Sequence, residues 1–172
     1  MNQNITTLTF ALAALFALGL TPSAHAGKSK VPKLTPYKDK VAATVTASDP
    51  ITDGVRLTFE ARGTATKLGK MTTLGFLDVN TTDFSFTGEN TLTAANGDTI
   101  FLTIVGQLTP TADEGIFIIR LRTDFQSGTG KFEGVRGGFF GEGLLNATPD
   151  FVGSTFAGNG YGAITSTSKG KK

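Results

Sequence analysis

The sequence contains no cysteine and no tryptophan, and its only histidine is His25. Without cysteine the chain forms no disulfides, so its stability must come from a packed core. His25 lies in an N-terminal segment with the features of a cleaved signal, which leaves the rest of the chain without an imidazole. These absences exclude Ser-His-Asp triads, Cys–His nucleophilic pairs and imidazole ligation of zinc.

Residues 1–26 have the pattern of a secretory signal peptide. Residues 8–20 are almost wholly apolar, and Ala24-His25-Ala26 has the small-x-small form that signal peptidase cleaves. As a helix this run rises only about 20 Å, whereas a bilayer core is roughly 30 Å thick. We therefore expect cleavage after Ala26, a secreted or periplasmic protein, and no transmembrane segment.

Charged residues are scarce, at 17% of the chain, and they are unevenly placed. Residues 27–40 and 169–172 carry eight lysines against one aspartate, whereas residues 41–168 hold eight basic and thirteen acidic residues. The expected organisation is a basic linker at 27–40, one domain at 41–168 and a basic tail at 169–172. Because the domain is acidic, no nucleic-acid surface is expected.

From residue 41 onward, apolar and polar residues alternate with the period of a half-buried strand. Leu57 and Phe59, for example, alternate with Arg56, Thr58 and Glu60. No stretch offers helical spacing over three turns, and turn residues recur about every 8–15 positions. This pattern predicts an all-β domain of about eight strands.

A glycine-rich stretch at residues 127–143 decides between the all-β architectures. It holds seven glycines interleaved with Phe132, Val135, Phe139 and Phe140. Such a mixture suits strands that bend and approach one another closely, as the closure of a sheet requires. We therefore predict a single antiparallel closed barrel.

Two further features concern the strands near the middle of the chain. Asn96-Gly97 predicts a two-residue hairpin with a type I′ turn. The strand that follows, residues 100–108, is apolar on both faces. One face should fill the barrel while the other meets a partner subunit or a packed segment, which predicts a homo-oligomer.

Candidate chemistry rests on carboxylates and arginines, since no metal-ligand spacing and no cofactor motif is present. Gly128-Thr129-Gly130-Lys131 lacks the spacing of a phosphate-binding loop. An arginine–carboxylate pair that faced the interior could polarise or protonate a ligand, whereas pairs on the outer face would be structural. The catalytic candidates are Glu60, Arg62, Arg120 and Glu142.

Twelve phenylalanines follow residue 26. They are explained most simply as the core, and alternatively as the lining of a ligand site. The pocket candidates are inward residues of two alternating strands: Leu57, Phe59, Phe117, Ile119 and Leu121. The ligand hypothesis requires a cavity of roughly 300 Å³.

Three segments carry a resemblance to a known family: residues 63–69 (GTATKLG), 91–98 (TLTAANGD) and 127–134 (SGTGKFEG). Together they resemble bacterial secreted proteins with an allene oxide cyclase-like barrel. The third also looks like the Gly-Thr-Gly-x-Phe signature of plant dirigent proteins. The resemblance covers roughly residues 54–165.

The resemblance implies an eight-stranded antiparallel barrel with an apolar cavity, often assembled as a trimer. Plant members bind a reactive hydrophobic intermediate and steer its cyclisation or coupling without a cofactor. No stretch outside the barrel motifs matches, so the catalytic residues of the family are not carried over. The segments that match are mostly turns and glycines, which concern the fold and not the chemistry.

The sequence leads to three hypotheses for function. The first is a secreted binding or interaction module that holds a small hydrophobic ligand in an aromatic-lined interior. The second is a cofactor-free isomerase or cyclase acting on a hydrophobic substrate. The third is a structural protein of the envelope or extracellular matrix whose basic ends attach it to anionic polymer.

Overall fold

The computed structural model of the protein describes residues 33–165, which fold into eight antiparallel strands around a common interior. Each strand pairs with the next along the chain, and the last pairs with the first, so the sheet closes on itself. The predicted all-β closed barrel is therefore confirmed. The strands are β1 Thr35–Ile51, β2 Gly54–Ala65, β3 Gly69–Asn80, β4 Ser85–Ala94, β5 Thr99–Pro110, β6 Ile116–Gly128, β7 Arg136–Asn146 and β8 Thr155–Thr165.

The alternation of side chains along β5 shows how the sequence forms the core. Ile100, Leu102 and Ile104 are buried inside the barrel, while Phe101 and Val105 project outward. Val105 remains 47% exposed. The outer face of β5 thus keeps the apolar character that its sequence predicted.

The first strand begins at Thr35, within the predicted linker, so residues 35–40 belong to the barrel. Tyr37 and Asp39 face inward, and Lys38 and Lys40 alternate with them on the outer face. The lysines gave these residues the composition of a linker, although their period of two is that of a strand. The predicted signal peptide and basic tail lie outside the described residues.

The predicted hairpin at Asn96-Gly97 is present, with a different turn. The Gly97 amide donates to the Ala94 carbonyl (2.9 Å), and the Ala94 amide donates to the Asp98 carbonyl (2.9 Å). Gly97 has a φ of 84°, whereas Asn96 has a negative φ. This is a three-residue connection, in which a type I turn is followed by one left-handed residue, and not a two-residue type I′ turn.

One end of the barrel is closed by part of the glycine-rich stretch. A 3₁₀ helix at Gly130–Phe132 follows β6, and it places the Phe132 side chain inside with only 1% exposure. Val135 is fully buried beside the same end. The glycine-rich stretch therefore forms two elements: the 3₁₀ turn at the barrel end, and the first part of strand β7. Among residues 33–165, no helix has the length and apolar character needed to cross a membrane.

Candidate functional site

The barrel encloses a cavity of about 110 Å³, lined mainly by apolar side chains from all the strands. This volume does not meet the requirement of roughly 300 Å³, so the ligand hypothesis fails for a drug-sized molecule and only a smaller ligand would fit. The apolar lining includes Val41, Val45, Leu57, Phe59, Leu77, Leu92, Ile104, Ile119, Leu121, Phe139, Leu145 and Phe156.

The cavity exists because several inward positions carry little or no side chain. Ala43, Ala61 and Thr73 lie side by side across β1, β2 and β3. On the opposite side of the β1 strand, β8 and β7 contribute Gly158 and Gly141 to the wall. Larger residues at these five positions would fill the space, so the small side chains determine its size.

Four of the five predicted pocket residues line the cavity: Leu57, Phe59, Ile119 and Leu121. Phe117 faces the same way along β6 but is not among the lining residues. It packs against Phe84 near the end of the barrel, with ring centroids 5.8 Å apart. Its contribution is to the core.

The predicted catalytic residues all lie on the outer face. Glu60 and Arg62 are exposed on β2. Arg120 Nε and Glu142 Oε2 form an ion pair of 2.6 Å between β6 and β7, in which each side chain is 63% exposed. None of the four residues reaches the interior, so the inward pair that the isomerase hypothesis required is not formed by them.

The acid that does face the cavity is Asp39, which the sequence reasoning missed. Its Oδ2 accepts a hydrogen bond from the Tyr37 hydroxyl (3.1 Å), and the carboxylate also accepts one from the Gly160 amide. Burial raises the pKa of Asp39 above its ordinary value, although both hydrogen bonds oppose this shift. Burial, followed by the charge of Asp39, raises the pKa of the Tyr37 hydroxyl.

Aromatic rings hold Tyr37 in place beside the acid. Its ring stacks on Phe139 with centroids 4.9 Å apart and meets the edge of Phe125 at 5.4 Å. Tyr37 is 1% exposed. The alternation of Tyr37, Asp39 and Val41 with lysines was the sequence signal that could have placed this pair inside.

Four other inward polar side chains are part of the cavity wall: Thr73, Asn90, Thr123 and Ser154. Thr123 Oγ1 donates to the Phe139 carbonyl (3.3 Å) and accepts from the Phe139 amide (3.2 Å). Ser154 Oγ accepts from the Thr148 amide (2.9 Å). Asn90 also lines the cavity, and its Oδ1 is buried without a hydrogen-bond partner.

A resident metal ion has no evident ligand set in this part of the molecule. Among residues 33–165, no three side chains of His, Cys, Asp or Glu come together in a group that could hold one. Tyr37 donates a hydrogen bond to Asp39, and the polar side chains that line the cavity with Asp39 include those of Thr123 and Asn90. The chemistry that these groups offer is hydrogen bonding and the movement of a proton.

A scan against protein-family models and a search of curated proteins found no match for the chain. Among solved structures, the chain is similar to two dirigent proteins. The pterocarpan synthase dirigent protein GePTS1 has 14% identity and a TM-score of 0.47, over 88% of this chain and 99% of that one. The pterocarpan synthase dirigent protein PsPTS1 has 17% identity and the same TM-score of 0.47, over 80% of this chain and 97% of that one. Both are dirigent proteins by name, and it is the dirigent signature that residues 127–134 resemble.

Proposed function

We propose that this protein is a binding module that holds a small apolar molecule inside its barrel. The supporting observation is the cavity of about 110 Å³, which is walled by apolar side chains and kept open by small residues. Apolar cavities with a few convergent polar groups are typical of small-molecule sites. The inward polar groups here are those of Asp39, Thr73, Asn90, Thr123 and Ser154.

The volume limits the ligand to about one ring. Drug-sized ligands occupy pockets of about 300–1,000 Å³, whereas a dry cavity of about 150 Å³ accepts benzene. The cavity of about 110 Å³ is nearer to the second case. A ligand of roughly six or seven non-hydrogen atoms, such as toluene or phenol, is therefore the appropriate probe.

Titration with toluene, followed by calorimetry or by NMR of the methyl groups lining the cavity, tests the proposal. Ala61→Leu adds side-chain volume at the cavity wall, so it should weaken toluene binding by about tenfold or more. Ala157→Leu is the matched control, because Ala157 is exposed on the outer face of β8. Failure of both toluene and phenol to bind the wild-type protein, or equal binding of toluene by Ala61→Leu, would overturn the proposal.

We further propose that the barrel self-associates through an outer row of exposed apolar residues. Phe140 on β7 pairs with Tyr161 on β8, and they are 67% and 60% exposed. On the other side of Phe140, its partner on β6 is Arg122, and the partner of Arg122 on β5 is the exposed Val105. Light scattering should show an oligomer, with a trimer suggested by the family resemblance, that Phe140→Ser dissociates. Leu74→Ser, at another exposed apolar position, should leave it intact.

A secreted or periplasmic location is also proposed, on the pattern of residues 1–26. N-terminal sequencing of the protein recovered from outside the cytoplasm should begin at Gly27. An intact Met1 in the exported protein would contradict the proposed cleavage after Ala26.

A cofactor-free isomerase or cyclase is the second candidate, and Asp39 is the observation that favours it. This acid lines the cavity, and burial raises its pKa, which suits a group that gives a proton to a bound substrate. Asp39→Asn should then abolish turnover of any substrate identified by binding, while its affinity changes by about twofold or less. Turnover that survives this substitution would remove the candidate.

A further inference from the structure

Asn90 lies on β4 with its side chain at the cavity wall. Its neighbours across the two adjoining strands are Gly75 on β3 and Leu102 on β5. Neither residue has a side-chain hydrogen-bond donor. The amide side chain therefore stands between two residues without polar side-chain atoms, and Thr73, the next inward residue of β3, adds a hydroxyl to the same wall.

The Asn90 Oδ1 atom is buried and accepts no hydrogen bond, and it is the one such side-chain atom among residues 33–165. A buried acceptor without a partner is destabilising, because it has lost its bonds to water and gained none. Native structures rarely keep such a group without a reason, and a missing ligand or water is a common one.

Three of the other inward polar groups, those of Asp39, Thr123 and Ser154, already have partners within the protein, whereas the Thr73 hydroxyl can both donate and accept. Asp39 accepts from Tyr37 and Gly160, and Thr123 exchanges hydrogen bonds with the backbone of Phe139. Asn90 Oδ1 is thus, among these inward groups of residues 33–165, the acceptor-only atom that lacks a partner. Since it accepts and does not donate, the complementary group is an O–H or an N–H.

We propose that the cavity selects ring-sized apolar molecules that carry one hydrogen-bond donor, which is received by Asn90 Oδ1. This proposal rests on the binding function proposed above and adds the chemical class of the ligand. Phenol matches that class, and toluene has the same number of non-hydrogen atoms but no donor. The pair therefore separates recognition of the donor from occupancy of the cavity.

The experiment measures the dissociation constants of phenol and toluene for the wild-type protein and for Asn90→Leu. Leucine has the same number and branching of side-chain non-hydrogen atoms as asparagine, and it removes the acceptor; its methyl groups are larger, which is why the ratio for two ligands of equal size is compared. The ratio of toluene to phenol dissociation constants should fall by about five- to tenfold in Asn90→Leu, because one hydrogen bond is lost. Thr91→Leu is the control, since Thr91 neighbours Asn90 on the opposite face of β4, and it should leave the ratio unchanged.

The outcomes distinguish this proposal from the one on which it rests. If toluene binds the wild-type protein but the ratio is unchanged in Asn90→Leu, donor recognition by Asn90 is refuted and the binding module stands. If neither probe binds the wild-type protein, both proposals fail. Asn90→Ala provides a second variant for the same ratio if the leucine variant does not fold.

Discussion

The hydrogen bond from Tyr37 to Asp39 should contribute more to stability at high pH than at low pH. Tyr37→Phe removes only the hydroxyl, so the stack on Phe139 and the edge contact with Phe125 are retained. The bond joins the Tyr37 hydroxyl to Asp39 Oδ2 over 3.1 Å in a buried setting. Its loss can therefore be separated from a loss of packing.

The magnitude depends on the charge of Asp39. A hydrogen bond to a charged group contributes about 1.5–3 kcal/mol, whereas one between neutral groups contributes about 0.5–1.5 kcal/mol. At about pH 9 the carboxylate is the acceptor, and we expect Tyr37→Phe to lower the free energy of unfolding by about 2 kcal/mol. At about pH 3, below the ordinary aspartate pKa of about 3.9 and therefore also below the raised pKa of Asp39, the acid is protonated and the loss should be about 1 kcal/mol.

Urea denaturation followed by circular dichroism measures these free energies at both pH values. Tyr161→Phe is the matched control, since Tyr161 is 60% exposed on the outer face, and it should change the stability by less than about 0.5 kcal/mol. A loss of equal size at both pH values would refute the reasoning, because the bond would then be insensitive to the charge of Asp39. A comparable loss in Tyr161→Phe would refute it as well.

Three further predictions follow from the same structure. Asp39→Asn should remove a pH dependence of stability. Because the pKa of Asp39 is raised in the folded state, its contribution to the free energy of unfolding is full below about pH 4 and is lost as pH rises through the folded-state pKa. Denaturation at several pH values should therefore show a free energy of unfolding that varies less with pH in this variant than in the wild-type protein. Phe132→Ala should cost about 3–5 kcal/mol in the free energy of unfolding, because the ring is 1% exposed within the barrel end, and exposed Leu74→Ala should cost far less. Arg120→Ala should change stability by less than about 0.5 kcal/mol and leave toluene affinity unaltered; a loss of affinity would show that its ion pair with Glu142 acts on the cavity.

The fold could be predicted from the sequence because the information is local. Alternation with a period of two identified the strands, and the glycines at residues 127–143 indicated closure of the sheet. The position of Leu57, Phe59, Ile119 and Leu121 at the cavity wall followed from the same alternation. Each of these features depends on residues that are close together in the chain.

The details of the site could not be predicted, because they depend on how distant strands are aligned. The volume of the cavity reflects the alignment of Ala43, Ala61 and Thr73 across three strands. Phe117 and Ile119 share a face of β6, but Phe117 lies nearer the barrel end. Phe117 therefore packs in the core, whereas Ile119 lines the cavity. Asp39 was missed because its neighbouring lysines favoured a linker, although the pattern of a strand was present.

The closure of the sheet also restricts how this protein can meet other chains. Since β1 pairs with β8 as well as with β2, residues 39–44 of β1 are paired on both sides. An extended peptide that needs a free strand edge to lengthen a sheet therefore finds none along residues 39–44, where an open sheet would have offered one. Along this closed seam, contact with another chain is left to the outward side chains, so partner choice there should be sensitive to single substitutions.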